Sequence, residues 1–257
     1  NSDNIEVINV LEEKIKKTNF NRLVKNIVKN KKETKVISIL GSGGTGKSIT
    51  CVNIANSLNK NKILIIDFDI LNNSLSTILG VHQYSQKIEK RLKNNTLINN
   101  KIDVKDLLIK INKNIDLISG INLIFDTRYQ ISSIKIKDIF NELKEYYDVI
   151  IVDTSCECFF DYTKEIILNS DNSIFLVESN LVEIKKAKNL LEIYSINWNI
   201  PKSKIQILIN KFNDNSIDEN ILSNIFYEFK IIGKINFSSE FNNIINKNKK
   251  TRRREIE

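Results

Sequence analysis

Residues 35–54 read KVISILGSGGTGKSITCVNI, and the order of features in this stretch decides the fold. Val36, Ile37, Ile39 and Leu40 form a short, largely β-branched apolar run, the pattern of a strand buried on both faces. Residues 41–48, GSGGTGKS, fit G-x-x-x-x-G-K-[ST], and residues 49–58 continue as a helix. A strand that delivers a glycine loop to a helix N-terminus is built to hold phosphate. The loop's N–H groups wrap the anion and the helix points its positive end at it. In that arrangement Gly43, Gly44, Thr45, Gly46, Lys47, Ser48 and Ile49 would bind the nucleotide. Lys47 would reach the β- and γ-phosphates, and the Ser48 hydroxyl would ligate Mg²⁺. The cofactors expected are ATP and Mg²⁺.

The rest of the chain alternates strands and helices. Expected strands cover residues 62–68, 115–118, 148–153, 173–177, 204–209 and 231–235. Expected helices cover 75–79, 134–147, 162–168, 182–194 and 217–229, with amphipathic stretches near 88–92 and 102–111. This alternation predicts a doubly wound α/β fold, a mostly parallel sheet with helices on both faces. Ligands in such a sheet sit at the carboxyl ends of the strands. There the second strand places Asp67 and Asp69, and the strand over 148–153 places Asp153 in a Walker B arrangement. Asp153 joins Ser48 as a candidate metal residue, with Asp67 and Asp69 at the neighbouring strand end.

Composition sets outer bounds. A chain of 257 residues suits one large α/β domain, and no apolar run approaches a membrane span. Cys51, Cys156 and Cys158 cannot all pair, and a nucleotide site works where ATP is, so a reducing cytoplasm is expected. There is no methionine, which marks residue 1 as trimmed or as part of something longer. The net charge is +8. Lys247, Lys249, Lys250, Arg252, Arg253 and Arg254 belong to a tail over 247–257. Setting those six aside from the 39 basic residues, and Glu255 and Glu257 from the 31 acids, leaves 33 against 29, so the body is only weakly basic and half of the net charge belongs to the tail. The expected division is a helical lead or linker over 1–34, an ATPase domain over 35–246 and the basic tail. In the lead, Thr18 is placed to cap a helix with Phe20, Leu23, Val24, Ile27 and Val28 on one face. Either an extra helix packed on the domain or a linker from a preceding domain accounts for it.

GSGGTGKS, IDFDILNNSLSTILG, YYDVIIVDTS, ILINKF and IIGKI come in the order and spacing of the MinD/ParA superfamily, P-loop ATPases with a deviant Walker A motif, which the chain resembles over about residues 36–245. The resemblance implies that Asp69 orients the attacking water, that Asp67 is its strand-end partner near the metal, and that Asp153, Thr154 and Ser155 form the second switch. Lys47, Asp69 and Asp153 are then the candidate catalytic residues, and Asp67 joins Ser48 and Asp153 as a candidate metal residue. It implies that Asn210 hydrogen-bonds adenine, with Lys211 the basic residue beside it, and that the chain works as a homodimer. The family normally carries a lysine early in the loop that crosses to the partner's phosphates, and here that position is Ser42. The prolines after both aspartates are missing, and Asn236-Phe237 stands where Pro-Glu or Pro-Asp helps enclose adenine.

Three functions compete. One is an ATP-dependent positioning or assembly factor similar to the CpaE/TadZ group, which places pilus or secretion machinery and varies in the loop lysine. It would act with a protein partner that stimulates hydrolysis or is positioned, and sit in the cytoplasm, at a pole or against the inner face of the membrane. The second is a ParA-type partition ATPase that binds DNA non-specifically, with Lys185, Lys186 and Lys188 as a candidate patch. The third, a bacterial tyrosine kinase, is excluded because the tail TRRREIE carries no tyrosine cluster. DNA and anionic membrane are the partners not favoured. Phe241, Ile244 and Ile245 before the basic tail form only a small apolar face for lipid. Cys156-Glu157-Cys158 carries a weaker metal reading, two buried thiols being the commoner outcome. His82 reads as a packing or surface residue and Trp198 as core at a loop.

Overall fold

Alternate residues of each strand face opposite sides of the sheet, and the aliphatic side chains of the central strands fill both. The computed structural model describes residues 33–58, 60–69, 74–81, 107–119, 133–156 and 161–237. The expected lead helix, the stretch near 88–92, His82, Cys158, the residue after Asp69 and everything from residue 238 onward lie outside them. Strands β1 (Lys35–Gly41), β2 (Ile63–Phe68), β3 (Leu108–Lys110), β4 (Ile115–Ile118), β5 (Val149–Thr154), β6 (Asn172–Glu178), β7 (Ile205–Phe212) and β8 (Lys230–Asn236) form one sheet. Its spatial order is β3-β4-β2-β5-β1-β6-β7-β8. Every neighbouring pair is parallel except β3 with β4. The helices are α1 (Lys47–Ser57), α2 (Ser74–Ile78), α3 (Ser133–Lys144), α4 (Asp161–Asn169), α5 (Leu181–Glu192) and α6 (Glu219–Ile225).

Ile37, Ile39, Ile63, Ile65, Ile151 and Leu176 pack on one side with Cys51, Ile54 and Ala55 of α1. The residues between them, including Leu64, Ile66, Phe68, Ile150 and Val152, pack on the other with Phe140, Tyr162 and Ile166 of α3 and α4. Beyond β1, Ile205, Ile207 and Ile209 meet Ile184, Ala187 and Leu191 of α5 and Leu222 of α6. The doubly wound reading is therefore correct. Parity also fixes the site. Asp67 shares the face of Ile63 and Ile65, and Asp153 that of Ile151, so both carboxylates turn toward α1. Full burial of one such aliphatic side chain is worth about 1.5–3 kcal/mol. A core with dozens of them tolerates two buried carboxylates.

Three expectations are corrected. Part of the stretch over 102–111 is a strand, since Leu108–Lys110 pairs antiparallel with β4; three residues are too few to show an alternation. Helix α5 stops at Glu192, and Ile193–Asn197 widen into a π turn. Trp198 follows it, half-buried and stacked on Tyr194 at 5.0 Å, as a core residue at a loop should be. Helix α6 is shorter than 217–229. The backbone of Ile217 is engaged with Ser179, and Asp218 caps the helix by accepting from the Asn220 N–H. Among the described residues no helix is long and apolar enough to cross a membrane.

Candidate functional site

The glycine loop leaves the carboxyl end of β1, between β5 and β6. At Gly46 (φ 92°) an added Cβ would stand 2.8 Å from Asn210 Nδ2, and at Gly41 (φ 144°) one would stand 2.8 Å from the Leu176 carbonyl. Positive φ and close approach together demand glycine at both. Gly46 is also the N-cap of α1, with no side-chain cap, and the first turn holds no acid. That leaves helix N–H groups and the positive dipole end for an anion, in a turn whose Lys47 the dipole alone would disfavour. Lys47 is 7% exposed, and its Nζ donates to the Gly41 and Ser42 carbonyls, each at 3.2 Å. Gly43 and Gly44 are exposed, whereas Thr45 is buried and turns its hydroxyl inward to the Ser42 carbonyl at 2.9 Å. Ser48 and Ile49 are half-buried on the first turn, with Ser48 Oγ 2.7 Å from Ser74 Oγ.

The carboxylates come from β2 and β5, where Asp67 and Asp153 are register partners. Asp67 accepts the Asp69 N–H at 3.0 Å and the Leu75 N–H at 3.2 Å, so it ties the end of β2 to the start of α2. Burial and then the Asp153 charge push its carboxyl well above the ordinary carboxylate range, and those two N–H bonds restrain the rise. Asp153 is fully buried, and neither of its oxygens meets a donor at hydrogen-bonding geometry. Burial pushes it up to about 7. Ser48, close enough to favour the charged form, and Lys47 hold it down, while Asp69 raises it. The Cys51 thiol beneath is pushed up by burial and by both carboxylates. Asp69 is 7% exposed at the same strand end.

These groups fit Mg²⁺ with phosphate. Among the described residues no three His, Cys, Asp or Glu side chains converge to hold a metal by themselves. A hydroxyl, one or two carboxylates and the remaining positions left to phosphate oxygens and water is the usual Mg²⁺ pattern. The unpartnered Asp153 carboxylate is the residue that such an ion would satisfy.

The far rim is built by β6, β7 and α5. Asn210, opposite Glu178 in the sheet, donates Nδ2 to the Thr45 carbonyl at 2.7 Å. Lys211 adopts φ 56°, a left-handed conformation uncommon outside glycine. Its Nζ donates to the Gly44 carbonyl at 2.6 Å and pairs with Glu178. On the other side Ser42 Oγ donates to Glu183 Oε2. Burial pushes the Glu183 carboxyl up, but hydrogen bonds from Lys186 and Ser42 outweigh it and hold the group below its usual value. Cys156 Sγ lies 3.6 Å from where a Cβ on Gly43 would be, and the residue is half-buried rather than buried as expected.

Lys47, Ser48, Asp67, Asp69, Asp153, Asn210 and Lys211 thus gather round one loop. Ser74, Glu178 and Glu183 belong to the same group and were not legible from sequence. Asn180-x-x-Glu183 does mark a helix start, but nothing in it points 141 residues back to Ser42.

Comparison with known proteins bears on the family and the fold. Residues 36–251 match the CobQ/CobB/MinD/ParA nucleotide binding domain. A plasmid partition protein of Borrelia burgdorferi bound to AMPPNP is similar in fold, with a TM-score of 0.64, 23% identity, and coverage of 84% of this chain and 90% of that one. The septum site-determining protein MinD of Pyrococcus horikoshii complexed with Mg-ADP gives a TM-score of 0.63 and 17% identity, covering 84% of this chain and 86% of that one. An uncharacterized protein of Methanocaldococcus jannaschii is 33% identical over 132 residues, 47% of this chain and 50% of that relative. The aligned region thus spans about half the length of the curated relative it matches.

Proposed function

The chain belongs to the CobQ/CobB/MinD/ParA nucleotide-binding family, and from that membership we propose that it binds ATP with Mg²⁺ and hydrolyses it slowly, under the control of a partner. The observation that carries this reading is the buried Asp153 carboxylate, unpartnered beside Ser48 at the mouth of the glycine loop. In this reading the loop N–H groups and Lys47 hold the phosphates, and Ser48 and Asp153, with Asp67 behind them, hold the metal. Bound Mg²⁺ would draw charge from the phosphate oxygens. Asp69 orients water, and Asn210 and Lys211 border the base. Lys47 already rests on two carbonyls, so it exchanges those for phosphate rather than emerging from water.

The cellular role proposed is a spatial positioning or assembly factor of the CpaE/TadZ kind, since Ser42 offers no cation to a partner's phosphates. A partition role is the second reading. It is favoured by the exposed Lys185, Lys186 and Lys188 on α5 and by the fold shared with the Borrelia partition protein. The weak net charge of the body opposes it.

Titration of Mg²⁺ with a fluorescent ATP analogue tests the site. Lys47→Ala should abolish binding, and unchanged affinity would overturn the assignment. Asp69→Ala should bind as the parent does and lose turnover; hydrolysis at the parent rate would remove Asp69 from that role.

A further inference from the structure

Two ion pairs grip the rim of the phosphate loop from outside. Lys211 with Glu178 holds the Gly44 carbonyl, and Lys186 with Glu183 holds the Ser42 hydroxyl. The second pair bears on the residue round which the loop closes. The Ser42 carbonyl accepts Thr45 Oγ1 at 2.9 Å and Lys47 Nζ at 3.2 Å. Ser42 is 7% exposed and the Glu183 side chain 14%. Glu183 is itself fixed. Its N–H donates to the Asn180 side chain at 3.0 Å in the first turn of α5, and its Oε1 takes Lys186 Nζ at 2.6 Å.

We propose that Glu183 is a positioning residue for nucleotide binding, which holds the Ser42 hydroxyl and so fixes, within one subunit, the carbonyl that organises the phosphate loop. This rests on the nucleotide reading above. An exposed ion pair at a rim would carry little, but a shielded hydroxyl bonded to a carboxylate is charge-assisted and geometrically strict. A bare carboxylate beside a phosphate site would also repel the ligand. Lys186 neutralises it and leaves the second oxygen free to hold Ser42. A loop already in its binding shape loses less conformational freedom on meeting phosphate, so the tie acts on affinity. Because Glu183 sits on α5, it also joins the phosphate loop to a helix whose first turn exposes Leu181 and Val182.

The test is Mg²⁺-dependent binding of a fluorescent ATP analogue to the full chain and four variants, with thermal melting beside it. Glu183→Ala and Ser42→Ala should each weaken binding about tenfold with little change in melting. Glu183→Gln, whose amide oxygen still accepts from the hydroxyl, should recover most of the loss. The double variant should bind no worse than either single one. Wild-type affinity in Glu183→Ala or Ser42→Ala, or additive losses in the double variant, would overturn the inference. Failure of the parent chain to bind any nucleotide would overturn both readings. A parent that binds, loses binding in Lys47→Ala and is indifferent to Glu183→Ala would overturn this one alone.

Discussion

Asp153 shows how a single residue carries two conflicting demands. Burial pushes its carboxyl up to about 7, whereas metal binding asks for the charged form. In the ligand-free protein the folded state therefore holds a proton that the unfolded chain releases near pH 4. Folded protein binds more protons across that window, so stability falls as pH rises from about 4 to about 7 and levels off above. Asp153→Asn removes the titration and relieves Asp67 of its neighbour's charge. Without nucleotide it should melt higher than the parent at pH 7, by on the order of 1 kcal/mol or more, and the gap should close toward pH 4. Melting curves across that range check this. A gap that does not change with pH would show that Asp153 is charged throughout. With Mg²⁺ and ATP analogue the order should reverse, because the ion rewards the carboxylate.

At the level of elements, two serines make a polar joint inside the core of the sheet. Ser38 of β1 and Ser173 of β6 are register partners, both fully buried, with hydroxyls 2.7 Å apart. Each satisfies the other. Ser38→Ala strands the Ser173 hydroxyl, and the cost should be about 1–3 kcal/mol, the usual penalty for a buried polar group that loses its partner. The Ser38→Ala, Ser173→Ala pair should cost less than the sum of the single changes, read from denaturant midpoints. Additive costs would show that the hydroxyls are satisfied independently. The joint lies three residues before Gly41, so loss of nucleotide binding should follow only where the β1–β6 pairing is itself disturbed.

For the molecule as a whole, Ser42 bears on whether nucleotide joins two copies. The loop holds Ser42, and its hydroxyl is committed to Glu183 of the same chain. The expected outcome of light scattering is therefore one mass with ADP and with a non-hydrolysable ATP analogue plus Mg²⁺, as a nucleotide-bound scaffold. A doubling with the analogue alone would show that the switch runs on a different cation. If that form also bound random-sequence duplex DNA, with affinity falling steeply as salt rises, the partition reading would displace the positioning one.

Much of this was legible in residue order. The spacing in GSGGTGKS and the apolar runs before Asp67 and Asp153 are local, and local sterics and hydrophobic periodicity suffice to place a loop and two strand ends. Parity along β2 and β5 then determines that both carboxylates face the loop's helix. Other features depended on pairings between distant segments. The Leu108–Lys110 edge strand exists because β4 offers it a partner, and the π turn after α5 goes with a stacking of Tyr194 on Trp198 that no local pattern announces. The grip of Glu183 on Ser42, like that of Asn210 on Thr45, joins residues well over a hundred positions apart. The sequence determined which groups reach the carboxyl edge of the sheet. Tertiary structure decided which of them touch, because a hydrogen bond depends on where two elements end in space, and no periodicity encodes that.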